Sequence, residues 1–170
     1  PELYLGTQVG VGQSEASMGL VRGVNRSALL VRRQFDIEEG DWPAPGEVMM
    51  GCMAAAKLGV MEAETRIGKT ISFEGRTWRI SGVFSAGGSA FESEVWCRLA
   101  ELQQAMKRQD LSVVAVGMAP GSDFAELDLF CKGRLDLELQ TMRETEYYAS
   151  LQKDYSPVRW LAWLGVLLVS

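Results

Sequence analysis

The stretch Lys69-Thr70-Ile71-Ser72-Phe73-Glu74-Gly75-Arg76-Thr77-Trp78-Arg79-Ile80-Ser81 constrains the fold more than any other. Polar and apolar residues alternate on both sides of Glu74-Gly75-Arg76, and alternation at period two is the mark of a half-buried strand. The glycine falls where a tight three-residue hairpin turn needs positive φ. Ile71, Phe73, Trp78 and Ile80 then share one apolar face, and a lone two-stranded ribbon is not stable in water. The hairpin therefore has to pack against further strands or helices.

The remaining chain supplies both. Residues 21–24 and 29–31 are short apolar runs around Asn25-Arg26-Ser27, which predicts strand, turn, strand. Residues 34–46, punctuated by Pro43 and Pro45, read as a loop anchored by Trp42. Glu47-Val48-Met49-Met50 reads as a strand, and residues 53–58 as a helix closed by Gly59 in a left-handed cap. Val95-Trp96 ends a strand. Leu99, Leu102 and Met106 then recur at helical spacing, and residues 111–118 form a valine-rich strand. Ser122 is an N-cap candidate for a helix that turns Phe124, Leu127, Phe130 and Cys131 inward and stops at Gly133. Leu135, Leu137 and Leu139 alternate with polar residues as a last strand. The expected class is α+β, with helices packed on a small sheet and a strand-rich middle that reads as a lobe of its own.

The chain closes on Trp160-Leu161-Ala162-Trp163-Leu164-Gly165-Val166-Leu167-Leu168-Val169-Ser170. This run has no charge and no polar stripe, so a helix here must be buried in protein or lipid. It falls short of the roughly 20 apolar residues that span a bilayer, and it reads as the first half of a membrane helix. Pro157 suits a first helical turn. Tyr147, Tyr148, Trp160 and Trp163 are candidate membrane-interface anchors, because aromatic rings concentrate at that level. At the other end, Pro1-Glu2-Leu3-Tyr4 reads like the middle of a strand, as expected of a chain cut at both ends.

Composition narrows the chemistry. An apolar fraction of 47% is enough for a real core, and a net charge of −5 without basic clusters disfavours nucleic-acid binding. There is no histidine, which removes the commonest general base and metal ligand. Cys52, Cys97 and Cys131 lack metal-ligand spacing and read as small core residues, with a Cys52–Cys97 bridge as the alternative. Gly87-Gly88-Ser89 could cradle a phosphate only with a helix N-terminus behind it; a turn between strands is the simpler reading. As an exposed loop it is the candidate partner contact, together with residues 8–18. Glu92 and Glu94 fall on one side of a strand, in a solvated or interface role, as do Glu144 and Glu146 if extended. No catalytic, cofactor or metal site is expected.

Several stretches in order carry a resemblance: Leu20-Val21-Arg22-Gly23-Val24, Gly46-Glu47-Val48-Met49-Met50-Gly51, Leu58-Gly59 followed by Ile67-Gly68-Lys69-Thr70-Ile71, Trp78-Arg79-Ile80-Ser81-Gly82-Val83-Phe84, and Phe91-Glu92-Ser93-Glu94-Val95-Trp96. Arg143-Glu144-Thr145-Glu146-Tyr147-Tyr148-Ala149 then leads towards the apolar run. The sequence resembles the MacB-like periplasmic core domain of FtsX-type ABC transporter permeases. That resemblance implies a porter-like mixed α/β lobe with an inserted, mainly β lobe, followed by the start of a transmembrane helix. On this chain the parts would be residues 1–45 and 96–148 for the porter-like lobe, 46–95 for the insert and 157–170 for the membrane helix.

It further implies a domain in the periplasm or extracellular space, attached to the bacterial inner membrane and carrying no enzyme activity. ATP and magnesium would be bound by a separate cytoplasmic ATP-binding subunit. Partners would be that subunit, a second permease copy, membrane lipid, and a periplasmic protein or exported substrate. Such a domain transmits ATP-driven motion to the outside. Two other readings come from the residues alone. One is a periplasmic binding or adhesion module held by a single membrane helix, without an ATPase. The other is an enzyme whose C-terminal helix is buried.

Overall fold

The computed structural model describes residues 1–147, which fall into two compact units, Pro1–Gly117 and the described part of Met118–Ser170. The first unit holds seven strands: β1 (Glu2–Val11), β2 (Ser17–Val24), β3 (Phe35–Gly40), β4 (Glu47–Gly51), β5 (Thr70–Phe73), β6 (Arg76–Ala86) and β7 (Val95–Arg98). Three helices accompany them: α1 (Ala28–Val31), α2 (Ala54–Leu58) and α3 (Leu99–Met106).

The strands pair in the order β3-β6-β4-β7-β2-β1-β5, and β5 pairs again with β6. That second pairing closes a ring of six strands and leaves β3 outside it. Closure is possible because β6 is eleven residues long. Its first residues, Arg76 to Arg79, bond β5, and Gly82 to Ala86 bond β3. β5 in turn meets the end of β1, with Gly10 opposite Ser72. The strands of residues 46–95 thus share one sheet with β1 and β2: β7 runs parallel to β2, with Val21 opposite Val95.

Strand alternation sorts side chains to two faces. Val21, Val48, Met50, Ile71, Trp78, Ile80, Val95 and Cys97 fill the interior together with Leu58 of α2 and Leu102 of α3. The hairpin delivers what its sequence requires. Ile71, Phe73, Trp78 and Ile80 are all buried, and the Phe73 and Trp78 rings stack 4.8 Å apart. Its turn is tighter than expected, because Phe73 pairs directly with Arg76. Glu74 and Gly75 both have positive φ, 49° and 68°, which gives a two-residue type I′ connection.

β2, β4, β7, α2 and α3 agree with the sequence reading, and Gly59 caps α2 at φ 71°. Other segments differ. Leu29 to Val31 belong to the short helix α1, because the amides of Ala28, Leu29 and Leu30 bond the carbonyls of Asn25, Arg26 and Ser27. Residues 35–40 form β3 where a loop is expected; Phe35 stacks on Phe84 and Trp96, both at 5.1 Å, and that packing outweighs an acidic sequence. The valine-rich run 111–118 contributes one bridge, Val113 opposite Glu2.

In the second unit, α4 (Phe124–Gly133) starts at Asp123, whose side chain accepts from the Ala125 amide, and not at Ser122. None of its residues is buried, so Phe124, Leu127, Phe130 and Cys131 do not form an inward face among the described residues. Leu135 and Leu137 lie in a turn and Leu139 just past it; all three are exposed, the first 85% so, and none is in a strand. Residues 144–147 are helical, which removes the extended pairing of Glu144 with Glu146. No helix among the described residues is long and apolar enough to cross a membrane. The membrane-helix start expected at 157–170 lies outside the described residues.

Candidate functional site

The interior takes one face of the sheet; the opposite face carries charge. On it, Arg22 of β2 sits beside Trp96 of β7 and Tyr4 of β1 in the strand register. Arg22 Nε and Nη2 donate to the two oxygens of Glu94 at 2.6 and 2.7 Å. Its Nη1 donates to Glu2 Oε2 at 2.7 Å, and Arg32 Nη2 donates to Glu2 Oε1 at 2.8 Å. Trp96 Nε1 donates to Glu94 Oε2 at 2.9 Å. Phe91 lies under both guanidinium groups, 4.9 Å from Arg22 and 4.5 Å from Arg32.

The cluster is buried: Glu2 is 2% exposed and Glu94 4%. Burial alone would lower the pKa of Arg22; the hydrogen bonds and charges of Glu94, then of Glu2, outweigh it and raise the pKa. The spacing of Glu92 and Glu94 places them together on a strand, and the structure separates them. Glu94 is locked inside this cluster, while Glu92 lies in the 3₁₀ turn Ala90–Ser93.

Glu92 leads to the loop proposed as a contact. Gly87, Gly88 and Ser89 follow one another at the end of β6, with Gly87 and Gly88 at φ 63° and 75°. Glu92 Oε1 accepts from the amides of Ala86 and Gly88, both at 2.8 Å, and these bonds hold its pKa below the usual value. The amides of Ala86 and Gly88 are thus already taken by the protein's own carboxylate. Gly87 and Gly88 stay exposed and Ser89 is half-buried.

Tyr147 is half-buried in the helical turn of residues 144–147, and its amide donates to the Arg143 carbonyl. Tyr148, Trp160 and Trp163 lie outside the described residues. Cys97 is a core residue, whereas Cys52 is exposed, and neither is bridged. Among the described residues no group of acidic or thiol side chains is placed to hold a metal ion.

The backbone of Glu2 adds a geometric fact. Its amide donates to the Val113 carbonyl at 2.8 Å, and its carbonyl accepts from the amides of Ser112 and Val113. The first strand and the closing segment of the unit Pro1–Gly117 are therefore tied at the residue whose side chain anchors Arg22 and Arg32. Glu2, Arg22, Arg32 and Glu94 are the residues that sequence reasoning passes over as a group. Their signal is an ionisable residue set inside an apolar strand, as in Val21-Arg22-Gly23-Val24 and Glu94-Val95-Trp96. Such a residue is buried only when a partner meets it.

The unit Pro1–Gly117 is thus a strand-closed body built round a buried ion-pair node. The sequence matches the family of MacB-like periplasmic core domains over residues 1–128, and the chain belongs to that family.

Among solved structures it is similar to the periplasmic region of MacB from Actinobacillus actinomycetemcomitans. Identity there is 13%, over 89% of this chain and 74% of that one, with a TM-score of 0.66. It is also similar to the extracellular domain of the noncanonical ABC-type transporter YknZ from Gram-positive bacteria, at 15% identity, 62% of this chain, 56% of that one and a TM-score of 0.51. A third likeness is a domain of a permease protein from Porphyromonas gingivalis, at 13% identity, 82% of this chain, 63% of that one and a TM-score of 0.50. The chain thus spans less than two thirds of the second and third. No curated protein sequence matches it.

Proposed function

We propose that this chain is the external domain of an ABC transporter permease and that it transmits motion from the membrane to the outside. The family and the likeness to external regions of ABC-type transporters support the assignment. One observation supports transmission: the double attachment at Glu2. A displacement arriving through β1 or through residues 112–113 reaches the same buried residue. From Glu2 it passes to Arg22, then Glu94, then to the turn whose Glu92 holds the Gly87-Gly88-Ser89 loop.

In this reading the loop is the surface that meets a periplasmic protein or exported substrate. ATP and magnesium are bound by a separate cytoplasmic subunit, and two permease copies work together in the bacterial inner membrane. Residues 157–170 begin the membrane helix that follows the domain, with Tyr147, Tyr148, Trp160 and Trp163 as its interfacial rings. In this reading residues 46–95 are an insert in sequence between residues 1–45 and 96–148 of the porter-like lobe, and the strands of the insert join the sheet of β1 and β2.

The test uses the natural full-length protein in cells. Co-purification with an ATP-binding subunit, together with loss of transport when Gly87 and Gly88 are both replaced by tryptophan while ATP hydrolysis persists, is the expected outcome. Recovery without such a subunit, from a coding sequence with a single membrane helix, would overturn the permease assignment in favour of an anchored binding module. Unchanged transport in the double variant would remove the loop from the mechanism.

A further inference from the structure

We propose that the free edge of β3 is a docking site for an extended, basic peptide segment, which joins the sheet as a further strand. This goes beyond the transport reading and does not depend on it. The six-strand ring closes on itself, but β3 hangs outside with β6 as its single strand neighbour among the described residues. An unpaired strand edge presents a row of backbone donors and acceptors, and peptides are captured on such edges by main-chain hydrogen bonds.

This edge is held ready. Phe35 packs on the rings of Phe84 and Trp96, both at 5.1 Å, at one end. At the other, the Asp41 amide donates to the Ser81 carbonyl at 3.0 Å, and the Asp41 carbonyl accepts from Ser81 Oγ. A partner therefore meets a strand that is already ordered, which lowers the cost of binding.

Charge selects the occupant. Asp36, Glu38, Glu39 and Asp41 are exposed, and none of them forms an ion pair with a cation of the described chain. The register shift between Ile37 and Glu39 sets Glu38 out of the ladder, so two carboxylates follow each other along the edge. A second copy of this chain pairing edge to edge would set these carboxylates against their own kind, which is unfavourable for directly opposed like charges. Charge therefore disfavours self-association at this edge. A strand with lysine or arginine at alternate positions supplies both the backbone bonds and the opposite charges.

The experiment is fluorescence anisotropy with the 170-residue chain and labelled hexapeptides. One alternates lysine and valine, one has the same sequence with alternate amides N-methylated, and a second such pair alternates glutamate and valine. The lysine peptide should bind, and N-methylation should weaken binding at least about tenfold, equivalent to about 1.4 kcal/mol. The triple variant D36K/E38K/E39K should lose the lysine peptide and gain the glutamate one while keeping the circular-dichroism spectrum of the unaltered chain, and N-methylation of the glutamate peptide should weaken that binding too. No binding of the lysine peptide would overturn the proposal. Equal binding of the N-methylated peptide would overturn it too, since attraction would then be charge alone without strand addition.

Discussion

Arg22 and Glu94, 72 positions apart in sequence, meet through two hydrogen bonds of 2.6 and 2.7 Å on the buried face of the sheet. Two ions out of water are stable only when each lone pair and proton is met. Here the second side of Arg22 goes to Glu2 and the spare capacity of Glu94 goes to Trp96 Nε1. Removing the guanidinium by Arg22→Ala strands two buried carboxylates, and the expected loss is about 3–5 kcal/mol. Urea unfolding of the single and double variants at Arg22 and Glu94 checks it. Additive losses would show that the two side chains do not act as a pair.

Glu92 gives a pH signature of the loop. Its carboxylate is held by the amides of Ala86 and Gly88, which lower its pKa from 4.5. A group with a depressed folded pKa contributes stability above its unfolded pKa and loses it as pH falls through the folded one. Acid should therefore loosen residues 86–89 below pH 4.5, and Glu92→Gln should flatten that dependence. Amide exchange at Gly88 from pH 6 to pH 3 measures it. Exchange protection unchanged over that range would show that the carboxylate does not hold the loop.

Gly51 is a position where a side chain has no room. A Cβ there would lie 2.2 Å from the Glu92 carbonyl oxygen, which is backbone and cannot step aside as a side chain would. The Gly51 amide also donates to the Glu94 carbonyl at 2.9 Å, so β4 and the 3₁₀ turn are in direct contact. Gly51→Ala should destabilise the unit by more than about 1–3 kcal/mol, the usual cost of overpacking. It should also shift the amide resonances of residues 87–89. A melting temperature equal to that of the unaltered chain would contradict this packing.

Lys107 points the other way, towards gain. It terminates α3 at φ 54°, ψ 38°, a left-handed conformation that costs a residue with a Cβ roughly 1–2 kcal/mol. Its amide bonds the Gln103 and Gln104 carbonyls, so the cap geometry is fixed by the backbone. Lys107→Gly keeps those bonds and should raise the melting temperature, since glycine is the usual residue at this position. A lowered melting temperature would mean that the lysine side chain does more than occupy the cap.

How much of this was legible in the sequence follows from the range of the forces involved. The β5–β6 hairpin, the α2 cap at Gly59 and helix α3 are local patterns of alternation, spacing and a single glycine, and residues 69–81 carry their own instructions. β3 is not legible, because Phe35 is held by Phe84 and Trp96, which lie far along the chain. The run 111–118 has the composition of a strand, yet composition does not supply a neighbour, and its pairing is limited to Ser112 and Val113 against Glu2. The ion-pair node shows the same limit in the site. Arg22 and Glu94 are conspicuous as charges in apolar strands, but their pairing depends on the parallel register of β2 and β7, which no local pattern encodes. The Gly87-Gly88-Ser89 loop was legible as a turn; that Glu92 fills its amides was not.

The thiols separate core from surface in one titration. Cys97 is buried in the sheet interior, where burial raises its pKa well above the ordinary 9.0. Cys52 is exposed, yet its pKa is raised as well, first by partial desolvation and then by the charge of Glu92 and a hydrogen bond to it. The thiolate is the reactive form. Native chain treated with a thiol reagent at pH 8 should therefore modify Cys52 slowly and Cys97 only on unfolding. Glu92→Gln removes the neighbouring charge, lowers the Cys52 pKa and should speed its modification, leaving Cys97 protected. The buried thiol also sets a linkage: its unfolded form ionises near 9.0, so the stability it contributes is complete below that pH and falls as pH rises above it. Mass mapping of the modified cysteines reads every arm. Equal rates for Cys52 in both chains would break the assigned link to Glu92, and early modification of Cys97 would show that the closed ring opens.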